Sequence, residues 1–174
     1  MRLQSIWKLA AGGSLALAMM VLPGQLMAQQ SKDTVLNATD ARKLLPPSVY
    51  YAGQTAPTQV RNSGGVKFAD GLYVLATLVD NSGYSSDVAM KYQAYFIAEA
   101  PITVGGKKLP AGIYGVGFIG DNKFVVTDVG AHDVLTANFS LDKAIKRPMP
   151  LQVLTDPAGG FRLYEGRKYV TFNR

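Results

Sequence analysis

The sequence predicts an all-β protein, an antiparallel β-sandwich or small barrel with an irregular N-terminal leader. Three observations carry this expectation. From Phe68 onward, short apolar runs recur at roughly eight- to twelve-residue spacing. Eighteen glycines and nine prolines punctuate the 174 residues. No stretch beyond the N-terminus carries the 3.6-residue apolar period of a long amphipathic helix.

The elements follow in order. Residues 29–66 are rich in Gln, Pro, Gly and Ser and read as an irregular segment that drapes Val49, Tyr50 and Tyr51 over the core. Its one helical candidate is Thr39 to Leu45, with Thr39 as N-cap and Pro46-Pro47 as the stop. The β domain is expected over 67–174. Leu72 to Val79 is apolar except for Thr77, which suits a strand buried on both faces. Asp80-Asn81-Ser82-Gly83 is a turn. Met90 to Ala98 alternates, with Met90, Tyr92, Ala94, Phe96 and Ala98 on the dry side of a strand. Ile102-Thr103-Val104 and a restart at Leu109 flank a Gly105-Gly106 turn. Ile113 to Ile119 and Phe124 to Val129 are strands joined by Gly120-Asp121-Asn122. Val134 to Phe139 and Leu151 to Leu154 add two more, with one helical turn expected at Asp142 to Arg147. Asp156 to Gly160 is a loop, and Phe161 to Phe172 a terminal hairpin.

Composition excludes several classes. With 48% hydrophobic and 17% charged residues the chain is not a disordered polymer. Without cysteine it has no disulfide framework, no thiolate metal site and no cysteine nucleophile. Residues 1–28 have the layout of a secretory signal peptide: Arg2 and Lys8, an uncharged apolar run from Leu9 to Leu22, Pro23-Gly24, then Leu26-Met27-Ala28 before a polar stretch. Fourteen apolar residues span about 21 Å as a helix, short of the roughly 30 Å hydrocarbon core of a bilayer. The expected product is exported, periplasmic or extracellular in a bacterium, without a transmembrane span. Removal of Arg2 and Lys8 lowers the net charge from +6 to +4. The excess is local, because residues 143–174 hold seven basic and two acidic side chains.

Val104-Gly105-Gly106-Lys107-Lys108-Leu109-Pro110-Ala111-Gly112-Ile113-Tyr114 resembles a V-G-G-K-x-L-P-A-G-x-Y segment of uncharacterised secreted bacterial β-proteins. The resemblance implies bacterial export and a strand–turn–strand path. It carries over no catalytic residue.

Four sets of residues are candidates for chemistry. A two-residue turn at Glu165-Gly166 would place Arg162, Tyr164, Arg167 and Tyr169 on one side of the terminal hairpin. Two arginines interleaved with two tyrosines can bind an anion through guanidinium forks and ring stacking. The simpler reading makes them ordinary cross-strand partners. Gly115 and Gly117 leave a flat patch on their strand face, open to a ligand or covered by the leader. His132, the sole histidine, lies near Asp128 and Asp133, as a hydrolase would require, but the hydrolase motifs are missing. Asp80-Asn81 and Asp121-Asn122 could lend oxygens to Ca²⁺, although turn chemistry accounts for both. The expected function is a non-enzymatic, envelope-associated binding module without cofactor or metal. Its partner is an anionic envelope component or another protein, not a nucleic acid. The alternatives are a lipocalin-like carrier of a small apolar ligand and a hydrolase using His132.

Overall fold

The computed structural model describes residues 32–174; the expected signal peptide lies outside the described residues. The chain runs β1 (Thr34–Leu36), α1 (Ala38–Ala41), β2 (Ser48–Tyr51), β3 (Gln54–Lys67), β4 (Tyr73–Val79), α2 (Ser86–Lys91), β5 (Ala94–Ala98), β6 (Ile102–Val104) and β7 (Lys107–Leu109). It continues with β8 (Gly112–Ile119), β9 (Lys123–Thr127), β10 (Asp133–Asn138), β11 (Ser140–Leu141), β12 (Leu151–Thr155), β13 (Phe161–Glu165) and β14 (Lys168–Asn173). An eight-stranded sheet has the order β1-β3-β4-β5-β8-β9-β10, with β2 added to β3. A six-stranded sheet has the order β12-β13-β14-β6-β7, with β11 added to β14. All pairings are antiparallel, and the sheets form a sandwich, not a closed barrel. Among the described residues no helix is long and apolar enough to cross a membrane.

The period-2 pattern sets the core. Val74, Ala76, Ala94, Phe96, Val116 and Phe118 turn inward from the large sheet. They meet Leu151, Val153, Phe161, Leu163, Val170 and Phe172 from the small one. The β6–β7 hairpin closes through Gly105 and Gly106, with φ of 53° and 80°. Two successive positive φ values match the twist of flanking strands and cost glycine little.

The N-terminal part departs from its expected irregularity. β3 is the longest strand and pairs with β4 along most of its length, through a register shift between Gln59 and Ser63. Its Gln54, Pro57 and Gln59 are exposed on that irregular half, whereas Ser63 to Val66 are buried. The helix starts earlier than expected, because Asn37 rather than Thr39 caps it, accepting from the backbone N–H groups of Thr39 and Asp40. Met90 and Lys91 end α2 instead of opening a strand, and β5 begins only at Ala94. No helical turn forms at 142–147.

The outer face of the large sheet is covered as well, so β4 is buried on both sides. Ala41 and Leu45 pack on Leu75. Tyr51 and Tyr92 stack with ring centroids 3.6 Å apart, and Tyr84 meets both edge-on.

Candidate functional site

Gly166 decides the geometry of the terminal hairpin. Its φ of 59° makes it the first central residue of a two-residue turn, Gly166-Arg167, as a type II′ connection requires. The expected turn at Glu165-Gly166 is therefore displaced by one residue. Tyr164 faces Tyr169, Arg162 faces Thr171, and Arg167 leaves the strand face for the turn. Phe161, Leu163, Val170 and Phe172 keep their expected place in the core.

Arg162, Tyr164 and Tyr169 do form a cluster, but it is closed on itself. The Arg162 guanidinium lies 4.4 Å from the centre of the Tyr169 ring. It donates to Asp156 Oδ1 at 3.0 Å and to the Tyr164 hydroxyl oxygen at 3.4 Å. The Tyr164 hydroxyl donates to Asp142 Oδ2 at 2.9 Å, and that oxygen lies 3.9 Å from Arg162. The Arg162 hydrogen bond holds the Asp156 carboxyl below the usual carboxylate range. The Tyr164 hydrogen bond does the same for Asp142. Two carboxylates around one guanidinium cancel its charge, so Arg162 offers an incoming anion no net attraction. Neither acid was paired with Arg162 from sequence; they lie 20 and 6 residues before it.

The neighbouring loop behaves in the opposite way. Residues 142–150 are fastened to the Gly166-Arg167 turn at three points. The Asp142 N–H donates to Arg167 O at 2.8 Å, the Arg167 guanidinium donates to Ile145 O at 2.5 Å, and the Gly166 N–H donates to Met149 O at 3.1 Å. Lys143, Lys146, Arg147 and Arg167 are all exposed. Among the described residues none of these four enters an ion pair. Nearby Asp142 is engaged with Tyr164 and Arg162, and Glu165 lies 3.5 Å from Lys168. The charge excess of residues 143–174 marks this region, whereas the strand alternation points to the hairpin face and not to the loop.

Gly115 and Gly117 are covered. A Cβ on Gly115 would lie 2.7 Å from the Tyr51 ring, 2.7 Å from the Tyr92 ring and 2.8 Å from Thr127 Oγ1. A Cβ on Gly117 would lie 2.6 Å from Met90 O in α2. The flat patch is thus the seat of Tyr51, Tyr92 and α2, and an external ligand has no access to it. The Tyr51 hydroxyl lies 2.5 Å from Thr127 Oγ1, whereas the buried Tyr92 hydroxyl has no hydrogen-bond partner among the described residues. Burial pushes both phenols above their usual range.

His132 sits on an exposed loop, its side chain 82% exposed and its Nδ1 3.1 Å from Asp128 Oδ2. Asp128 also accepts from the His132 and Gly130 N–H groups, which makes the contact part of a tight turn. Thr127, next in the chain, is fully buried and committed to Tyr51 and Gly115 O. Asp80 accepts from the Ser82 N–H, and the Asn81 amide donates to Ala89 O and Tyr92 O, tying α2 down. Among the described residues no group of three or more His, Asp or Glu could hold a metal ion. A cavity between the sheets, beside Leu78, Val116, Leu151 and Leu163, measures about 10 Å³.

Fold and site together define an antiparallel β-sandwich with one face sealed and one end basic. No protein-family model, curated protein or solved structure matches the chain.

Proposed function

We propose that the protein is an exported, non-enzymatic β-sandwich that binds an anionic envelope component through its basic end. The observation that carries the reading is the group of four exposed cations, Lys143, Lys146 and Arg147 on a loop and Arg167 in the hairpin turn to which that loop is fastened. Ordinary surfaces intersperse both signs of charge, and a single-sign cluster raises the local concentration of anions and their rate of encounter. Fastening lowers the ordering cost of binding. Export is supported by the layout of residues 1–28 and by the resemblance of Val104 to Tyr114 to segments of secreted bacterial β-proteins.

The alternatives have less behind them. The cavity between the sheets beside Leu78 and Leu163, about 10 Å³, has room for at most one water. The larger hollow of about 490 Å³ lined by Ile102, Leu109, Pro110 and Arg174 lies open at the surface instead of being enclosed in a barrel. A hydrolase built on His132 would need a hydroxyl nucleophile at an exposed turn, where the adjacent Thr127 is buried.

The test is retention on an immobilised soluble polyanion such as dextran sulfate. Replacing Lys143, Lys146, Arg147 and Arg167 by alanine should move elution to distinctly lower salt. A control substitution at the opposite end of the sandwich, Lys67→Ala beside Phe68 and the start of β13, should not. Equal elution of the quadruple variant and the parent would refute the reading.

A further inference from the structure

The basic end carries apolar side chains as well as cations. Leu141 is 58% exposed and Met149 47% exposed. They stand at the two ends of the 142–150 loop: Leu141 pairs with Lys168 beside the hairpin tip, and Met149 receives the Gly166 N–H on its carbonyl oxygen. Pro148 and Pro150 flank Met149 and limit its backbone. The same short surface therefore holds Lys143, Lys146, Arg147 and Arg167 between two exposed apolar side chains.

A soluble polyanion would use only half of this arrangement. Sulfate, phosphate or carboxylate groups on a hydrated chain satisfy the cations, but nothing in such a chain removes Leu141 and Met149 from water. A bilayer surface uses both halves. Anionic headgroups attract basic side chains within a Debye length, while Leu and Met gain by leaving water for the headgroup–acyl boundary. The two acids nearest the patch do not oppose this. Asp142 is turned to Tyr164 and Arg162, and Glu165 to Lys168.

We propose that the partner of the basic end is an anionic lipid surface, with the four cations at the headgroups and Leu141 and Met149 inserted between them. The proposal rests on the reading of this end as an anion-binding surface and names its partner. Binding is peripheral and reversible, weakened by salt and by loss of either the cations or the apolar pair.

Co-sedimentation with vesicles tests it, using phosphatidylglycerol-rich vesicles against vesicles of phosphatidylcholine alone, with dextran sulfate retention run in parallel. The parent should bind the anionic vesicles and not the neutral ones. Lys143→Ala, Lys146→Ala and Arg147→Ala together should lower that affinity on the order of a hundredfold, since each cation near the surface is worth roughly fivefold. Leu141→Ser with Met149→Ser should lower vesicle affinity about tenfold and leave dextran sulfate elution unchanged. All these positions are exposed, and unchanged circular dichroism of each variant is the control for folding. Retention on dextran sulfate without vesicle binding would overturn the lipid assignment and leave the anion-binding reading intact. Vesicle binding indifferent to the Leu141/Met149 change would also overturn it. Absence of binding to both would overturn the two together.

Discussion

The two sheets of this sandwich dispose of their outer faces in different ways. On the large sheet, Gly115 and Gly117 let Tyr51, Tyr92 and α2 approach the backbone, so even Thr77 and Thr127 are fully buried. On the small sheet no helix among the described residues lies over the strands, and Arg162 and Tyr164 of β13 pair with Asp142 and Asp156 from loops. The first face was made by removing side chains, the second by balancing charges. One excludes water and ligands and serves stability. The other leaves its border, the 142–150 loop, free to carry charges that enter no ion pair among the described residues.

The sharpest way to break this contrast is to fill the notch. Gly115→Val should destabilise the protein by about 3 kcal/mol, because three rigid neighbours would have to move in a packed interior. Thermal unfolding followed by circular dichroism measures it. A small loss would mean that the tyrosines are loosely seated and that this face is not sealed.

Removing the central cation of the other face comes next. Arg162→Ala leaves the buried Asp156 carboxylate without its main partner and should lower Tm by about 5 °C at neutral pH. Its pH dependence has a definite sign. Asp156 and Asp142 have lowered folded-state pKa values, so their stabilisation is complete above the ordinary carboxylate range and is lost as pH falls through the folded values. The difference between parent and Arg162→Ala should therefore shrink below about pH 4. Melts at stepped pH follow it, and a difference constant down to acid pH would deny the network its electrostatic origin.

The stacked tyrosines test the sealed face more finely, because their hydroxyls differ. Tyr51→Phe leaves Thr127 Oγ1 without that partner and should cost about 1 kcal/mol. Tyr92→Phe deletes a buried hydroxyl that has no partner among the described residues and should stabilise by about 1 kcal/mol. Chemical denaturation of both variants compares them directly. Equal signs would show that the two hydroxyls share one environment. The smallest effect is expected at His132→Ala, which should leave Tm within about 1 °C, as exposed turn positions usually do.

Much of this architecture was legible beforehand. Alternation named Phe161, Leu163, Val170 and Phe172 as core, and the run from Leu72 to Val79, apolar except for Thr77, named β4 as a strand buried on both faces. Gly115 and Gly117 were legible as a seat for something, with the leader among the candidates, and Tyr51 of that leader indeed lies there. Other features were misread for identifiable reasons. Met90 and Tyr92 continue the alternation of β5, so the junction between helix and strand leaves no trace in the period. The tip of the hairpin contains Glu165, Gly166 and Arg167 with only one glycine, and two turns differing by one residue use that glycine differently. Only the positive φ of Gly166 at the first central position selects between them, and that choice sends Arg167 away from Arg162.

The sequence by itself determined an antiparallel β protein, the inward faces of most strands, and a C-terminal concentration of positive charge. These follow from local periodicity and composition, which any short window of chain displays. The tertiary structure alone decided which charges remain available. Asp142 and Asp156 reach Arg162 from two separate loops, and the loop holding Lys143, Lys146 and Arg147 is fastened to a turn twenty residues further on. Charge cancellation depends on distances in space between residues remote in the chain, and no period along the chain encodes it.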